Sequence, residues 1–447
     1  MFSYEEAVRY VDSLINYEKK PQIPYNRRFL NLQRMRHLLS LLGNPHRSLK
    51  VIHIAGTKGK GTTSAIATSI LKAGGYKVGL YTSPHLISPR ERIRIGDSLI
   101  KEGEFAYFLS EIKLKIDRLK KISPYLTPTF FEVYTALALL YFAYQNVDLA
   151  VLEVGLGGRL DATNVVSPLV AVITQISFDH TRELGNDLSS IAKEKAGIIK
   201  EGAKVITSPQ DEPVLEVIRE TCRRKDASLC KVGRDIEFGR RGSTLRGQTF
   251  WIRTKRENYP SLFLPLLGKH QIVNATTAVG AIELLKEDGI FVSDEAVVQG
   301  IRDVNWPGRI QVLSEHPLLL VDCAHNGASA QALADFLKEL PLGGRIFLIM
   351  SILRNKDVEG IAKVLCPLSD EVILTEVDSP RALPCEELER RIGRVCQKRI
   401  AVRKDINSAL CYAQSLANKE DLICITGSVY LAGETLRYLK DKEEIDA

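Results

Sequence analysis

The chain has 447 residues, 26% of them charged and 45% hydrophobic, with a formal net charge of +7. That length exceeds one ordinary core and suits two or three domains, and the composition excludes a disordered or fibrous chain. The basic excess is mild and its clusters (Arg223-Arg224-Lys225, Arg240-Arg241, Lys120-Lys121) are short and lack interleaved aromatics, which argues against nucleic-acid binding and leaves an anionic small-molecule substrate or plain solubility to account for it.

In chain order, the start Met1-Phe2-Ser3-Tyr4-Glu5-Glu6 lacks the basic-then-apolar order of a signal peptide, and the longest apolar stretch, 136–144, is far below the roughly 20 residues that span a bilayer. A cytoplasmic protein without membrane contact is expected. Short β-branched runs then alternate with helix-length amphipathic spans: Val51-Ile52-His53-Ile54, a helix over 62–73, a strand over 78–81, and strands over 149–154 and 169–174. Such alternation is the mark of βαβ units on a mainly parallel sheet. The stretch 230–266 reads as a β-rich insert around Thr249-Phe250-Trp251-Ile252. Asn305-Trp306-Pro307-Gly308 is a breaker cluster, and it sets an expected boundary between domains 1–304 and 305–447. Beyond it, strands at 318–321, 346–350, 372–374 and 422–426 with a helix over 328–340 predict a smaller Rossmann-like α/β domain. The eight cysteines are scattered without a C-x-x-C pair, as reduced thiols are.

After the 51–54 strand comes Ala55-Gly56-Thr57-Lys58-Gly59-Lys60-Gly61-Thr62-Thr63, and then a helix. Glycines let backbone N–H groups approach phosphate oxygens, the helix N-terminus favours negative charge, and Lys60 can reach the outer phosphates. The match to G-x-x-x-x-G-K-[ST] is imperfect, because Ile54 replaces the first glycine and Gly61 separates Lys60 from the first hydroxyl. A nucleotide site remains the reading, since a bland turn needs neither the flanked lysine nor the hydroxyl pair.

This loop resembles the Gly-Thr-Asn-Gly-Lys-Gly-Ser loop of folylpolyglutamate and dihydrofolate synthases, members of the Mur ligase group, with Lys58 for Asn and Thr62 for Ser. More of that family's pattern follows in order: Thr82-Ser83-Pro84-His85-Leu86, Glu153 through the glycine-rich run to Leu160-Asp161-Ala162-Thr163-Asn164, Asp179-His180, Glu194-Lys195-Ala196-Gly197-Ile198, Gly268-Lys269-His270-Gln271 with Asn274, Trp306-Pro307-Gly308-Arg309, and Asp322-Cys323-Ala324-His325-Asn326. The resemblance spans residues 35–434. Cys323 stands in place of the usual glycine, and 351–357 is a loose version of a more glycine-rich segment.

The resemblance implies a P-loop ATPase domain and an ATP-dependent amide ligase, joining L-glutamate to dihydropteroate or folate through an acyl phosphate. It implies ATP on Gly56, Thr57, Lys58, Gly59, Lys60, Gly61, Thr62, Asn274, Arg309 and Asp322, with the second domain meeting the nucleotide across a cleft. Mg²⁺ would fall to Ser83, Glu153, His180 and a carbamylated Lys195. Glu153 is credible unaided, because it ends a hydrophobic strand before a glycine-rich turn, where a buried carboxylate needs a partner. Read without the resemblance, Glu153 serves a structural ion pair equally well, Ser83 is a turn residue, His180 a surface or capping histidine, Lys195 a solvated helix lysine, Asn274 a polar contact between helices, Arg309 a surface cation, Asp322 a strand-end cap and His325 a satisfied loop histidine.

Lys60, Lys195 and His325 are the expected catalytic residues. Thr129, Phe130, Phe131 and Glu132, with Leu160, Asp161 and Ala162, match segments that contact the pterin in dihydrofolate synthases. Paired aromatics suit a flat heterocycle, although Phe130 and Phe131 also open an apolar helix and serve a core equally well. The family suggests a monomer. The alternatives are a Mur-type ligase with another carboxylate acceptor, or a nucleotide-binding regulator without catalysis. A phosphate loop only about fifty residues in, with no additional UDP-sugar-binding domain expected before it, argues against the muramyl members.

Overall fold

The computed structural model of the 447-residue chain describes residues 1–18 and 30–446, with side chains to residue 442. It divides into two compact units. The first comprises Met1–Arg241, Thr249–Leu264 and Gln271–Val304; the second comprises Gly242–Gln248, Pro265–His270 and Asn305–Ala447.

The first unit is built on strands β1 (Val51–Ala55), β2 (Val78–Tyr81), β3 (Ile93–Ile95), β4 (Ser98–Leu99), β5 (Leu149–Glu153), β6 (Val170–Ile173), β7 (Lys204–Thr207) and β8 (Ser228–Lys231). They form an eight-stranded sheet in the order β4-β3-β2-β5-β1-β6-β7-β8. Pairing is parallel from β2 to β8 and antiparallel only at the β2-β3-β4 edge. β1, β2, β5 and β6 are buried along their whole length, the continuous apolar pattern of a sheet covered on both faces. The helices Glu102–Ile122 and Phe130–Tyr144 supply much of one core, where Phe105, Leu109, Val133 and Leu137 have no exposed surface. Each such side chain contributes about 1.5–3 kcal/mol.

The β-rich stretch is β8 followed by a three-stranded sheet of β9 (Glu237–Thr244), β10 (Gly247–Arg253) and β11 (Asn258–Leu264) in the order β11-β10-β9. The helix after it, Lys269–Leu285, is buried nearly all round.

The second unit holds β12 (Gln311–Glu315), β13 (Leu318–Val321), β14 (Ile346–Met350), β15 (Glu371–Leu374), β16 (Arg399–Val402) and β17 (Leu422–Thr426), in the order β12-β13-β17-β14-β15-β16. Only β12 runs antiparallel to its neighbour. The helix Gly327–Glu339 follows β13 and packs Leu333 and Leu337 into the core with Leu320, Leu348 and Val372. Among the described residues, no helix is long and apolar enough to cross a membrane. All eight cysteines are free thiols.

Candidate active site

In a parallel sheet the loops leaving the C-terminal strand ends gather on one edge. Here β1, β5 and β6 are adjacent, so the phosphate loop, the 154–164 loop and the 174–180 loop all leave that edge side by side. The phosphate loop is braced from β6: the Thr57 and Lys58 amides both donate to the Gln175 carbonyl, at 3.0 and 3.1 Å, and the Thr57 hydroxyl donates to the Ser177 carbonyl. Gly56 has φ +154° and passes so close to Thr174 that a Cβ would lie 1.8 Å from its hydroxyl. Gly59, at φ +80°, is the N-cap of the helix Lys60–Ala73, and a Cβ there would meet the Asn274 carboxamide oxygen at 2.1 Å. Asn274 therefore lies against the loop, steadied by its own bond to Gln271. With Thr57 and Lys58 committed to Gln175, the amides open toward an anion are those of the helix's first turn, at Lys60, Gly61 and Thr62.

Lys60 faces the end of β5, with Nζ 4.0 Å from Glu153 Oε1. The other carboxylate oxygen of Glu153 accepts from the Ser83 amide at 3.0 Å. Three of the expected residues thus stand together around a carboxylate that is 5% exposed. The Ser83 loop is held by residues the sequence reading did not single out. Glu91 accepts from the amides of Leu86, Ile87 and Ser88. The buried Arg92 donates to His85 Nδ1, pairs with Glu18 and stacks between Phe130 and Tyr134.

Lys195 does not lie on a solvated face. It is 5% exposed and its Nζ donates to the Gly56 carbonyl at 2.7 Å. Burial, with the Lys60 charge beside it, brings its proton affinity down to about 7. Its position is fixed by backbone contact, since Gly158 lies so close to the carbonyls of Glu194 and Lys195 that a Cβ would approach them to 2.8 and 2.9 Å. Arg159 adds a forked pair with Glu194. His180 is in the left-handed region at φ 50°, caps the short Thr181–Leu184 helix, and is exposed with Nδ1 3.9 Å from Glu183. Burial pushes Lys58 down to about 8 against the pull of Asp179.

The expected substrate residues divide. Thr129 caps the Phe130–Tyr144 helix in a capping box with Glu132, and the Glu132 carboxylate is gripped by Arg34 at 2.7 and 2.8 Å. Phe130 is buried; Phe131 is half-buried, with its ring over Gly155 and 5.9 Å from Tyr81. Leu160, Asp161 and Ala162 are buried. Asp161 accepts from the Leu156 amide and from both the amide and the hydroxyl of Thr163. The Thr163 hydroxyl in turn lies 2.8 Å from His53 Nε2 in the middle of β1.

In the second unit, Asp322 ends β13 with its carboxylate accepting from the Ile310 and Ala324 amides. Burial raises its pKa and the nearby Arg309 charge opposes that rise. Ile310 is held at φ 46° by this arrangement. His325 precedes the N-cap of the Gly327–Glu339 helix, and its Nδ1 is 2.8 Å from the Cys323 carbonyl, which makes Nδ1 the donor. Cys323 is buried.

Residues 54–282 match the Mur ligase middle domain, and residues 308–429 match the Mur ligase glutamate ligase domain. A dihydrofolate synthase/folylpolyglutamate synthase of Bacillus subtilis is 33% identical over 98% of this chain and 99% of its own. The folylpolyglutamate synthase of Mycobacterium tuberculosis complexed with ADP superimposes with a TM-score of 0.89 at 34% identity, covering 98% of both chains. Escherichia coli FolC in complex with DHPP and ADP gives 0.85 at 31% identity, covering 99% of both. The chain belongs to the dihydrofolate synthase/folylpolyglutamate synthase family of Mur ligases.

As a Mur ligase, the chain carries its phosphate loop on the middle domain, and the Lys60–Glu153–Ser83 cluster lies wholly within the matched span. The burial of Lys195, contrary to a solvated helix lysine, had a local signal. Ile191, Ala192 and Lys195 stand at i, i+1 and i+4 and share a helix face, so the lysine falls on the apolar stripe. Gln175 and Thr174 had none, because their part is played by a backbone carbonyl and a close approach.

Proposed function

We propose that this protein is an ATP-dependent ligase that joins L-glutamate to dihydropteroate, to (tetrahydro)folate or to both. The carrying observation is the buried Glu153 carboxylate flanked by Lys60 and the Ser83 amide beside a helix-opening phosphate loop. Relatives of known structure with ADP, and one with DHPP and ADP, support it.

An amide cannot form directly from a carboxylate, because oxide is too poor a leaving group. Transfer of the ATP γ-phosphoryl group to the acceptor carboxylate gives an acyl phosphate and ADP. The glutamate amine then attacks the acyl carbon, the C–N bond forms, and phosphate leaves with the acyl C–O bond. Catalysis of this kind is chiefly positioning and neutralisation of crowded negative charge. On this reading, the first-turn amides and the Lys60 ammonium bind the phosphates, while Gly56, Thr57, Lys58 and Gly59 shape the loop. Asn274, Arg309 and Asp322 serve the nucleotide, and His325 orients the reacting phosphate or amine.

The donor set fits Mg²⁺. Among the described residues no three His, Cys, Asp or Glu side chains converge on one point, and Mg²⁺ is ordinarily held by one or two carboxylates together with waters and substrate phosphates. Glu153, the Ser83 hydroxyl and His180 would hold it, and bound it would neutralise phosphate charge. Lys195, with a proton affinity near 7, has at neutral pH a large share of the neutral amine that adds carbon dioxide. The carbamate would turn that cation into a further oxygen donor.

For the acceptor we assign Phe131 as the aromatic contact, with the 160–162 turn and the capped Thr129–Glu132 segment as its frame. The first unit, which ends at Val304, is the ATP-binding domain, and the second, 305–447 with 242–248 and 265–270 added to it, is the glutamate-ligase domain of a cytoplasmic monomer. The test is phosphate release from MgATP with L-glutamate and dihydropteroate, tetrahydrofolate or no acceptor. Release that requires glutamate and one pterin names the substrate. Release with glutamate but indifferent to pterins moves the acceptor to another carboxylate, and no amine dependence leaves a nucleotide-binding regulator.

A further inference from the structure

At the N-terminal edge of the large sheet, opposite the phosphate loop, lies a cavity of about 560 Å³. Its walls come from the Leu32–Leu41 helix, the turn leading into β1 and the turn leading into β6. The four residue steps of β1, at about 3.3 Å each, separate it from the loop by about 13 Å, too far for the phosphates of one nucleotide to serve both.

The lining is cationic. Arg36 and His37 come from the helix and His46 and Arg47 from the turn; the Ser167 hydroxyl adds a polar group, the Ser40 hydroxyl donates to the His37 carbonyl, and only two lining side chains are aliphatic. Among the described residues the lining holds no Asp or Glu. The two arginine charges are felt within it: His46 has its proton affinity lowered by burial and then by Arg47 and Arg36, which keeps its ring neutral, and Lys200 is pushed down to about 8 by burial and then by Arg36. The Nδ1 atom of His46 is buried without a hydrogen-bond partner among the described residues. Like charges gathered without a counter-charge are costly, and guanidinium forks match the paired oxygens of phosphate and carboxylate.

We propose that this cavity is a second, oxyanion-binding site for a compact small molecule carrying two or more phosphate or carboxylate groups. Two guanidinium groups, one from the helix and one from the turn, grip separate anionic groups, and the His46 ring nitrogen gains the partner it lacks. The proposal is independent of the ligase assignment, since it concerns the other edge of the sheet.

The experiment is titration calorimetry in metal-free buffer, with an excess of a non-hydrolysable ATP analogue to fill the phosphate loop. Inorganic tripolyphosphate and citrate are the two probes. One equivalent is expected to bind, at least tenfold more weakly in Arg36→Gln/Arg47→Gln. Both arginines are exposed, so that variant should keep the wild-type melting temperature and, without probe, its basal turnover within twofold. Ser167→Trp fills the cavity without removing a cation and should abolish binding too. Tripolyphosphate alone binding identifies a phosphorylated ligand, citrate alone a polycarboxylate, and both a general oxyanion site. Failure of both probes, or wild-type affinity in the arginine variant, overturns the proposal.

Discussion

The Nζ of Lys195 donates to the carbonyl oxygen of Gly56 across 2.7 Å, tying the last turn of the Leu188–Ala196 helix to the first residue of the phosphate loop. A buried ammonium is thereby placed where the loop turns, and its charge state becomes a property of the whole unit.

That charge state sets a pH dependence. Lys195 titrates near its ordinary 10.5 in the unfolded chain and at about 7 in the fold. Between those values the unfolded chain holds the extra proton, so stability rises with pH from about 7 toward 10.5. Urea midpoints measured across this range in CO₂-free buffer should rise more steeply in the wild type than in Lys195→Met. Parallel slopes would show that the lysine is not desolvated.

Lys58 offers a second titration, one read in kinetics. Its ammonium is the phosphate-attracting form, and burial brings its proton affinity to about 8. The value of kcat/KM for ATP reports the free enzyme, and it should fall above pH 8 in the wild type. Lys58→Asn should flatten that limb and leave the acidic side unchanged; an unaltered alkaline limb would assign it to another group.

The Arg34–Glu132 pair, with both side chains under a tenth exposed, tests whether the start of the Phe130–Tyr144 helix is framework or contact. Arg34→Met leaves a buried carboxylate uncompensated and should cost about 3–5 kcal/mol in chemical denaturation. Adding Glu132→Gln should restore much of that loss, with the pterin KM of the double variant within about threefold of wild type, since both side chains are already spent on each other. A large KM rise without recovery of stability would make Glu132 a substrate ligand.

Gly158 is a backbone-on-backbone packing constraint beside Lys195. A methyl group there meets two carbonyl oxygens that belong to helix backbone and cannot rotate away. Gly158→Ala should destabilise by about 1–3 kcal/mol. Because the loop must lift off Lys195, turnover should fall by more than the folded fraction does. Wild-type turnover in the folded protein would separate the loop from the catalytic arrangement.

Much of this was legible in the residues. Val51-Ile52-His53-Ile54 is apolar and β-branched throughout and is followed by glycine, lysine and hydroxyl residues, so strand, loop and helix could be placed on the page. Trp306-Pro307-Gly308 likewise announces a break in the pattern. β3 and β4 escaped notice because three and two residues carry too little alternation to register, and β7 and β8 because they are four-residue strands after helices with no distinctive flank. Within the site, Lys60 and Glu153 were readable from their positions at a helix start and a strand end. The Gln175 brace and the use of Asp161 to organise its own loop were not, since both depend on backbone groups brought together only by folding.

His53 lies wholly buried in β1, a ring nitrogen bonded through Thr163 to Asp161, with burial holding it neutral and its proton affinity near 3. A strand of small aliphatic residues between two parallel neighbours would pack almost as well one step out of place, yet such a slip would turn this imidazole to the other face of the sheet. The histidine is an alignment mark: one setting of the strand lets it meet Thr163, and that same setting brings the phosphate loop and the glycine-rich loop out at matching heights.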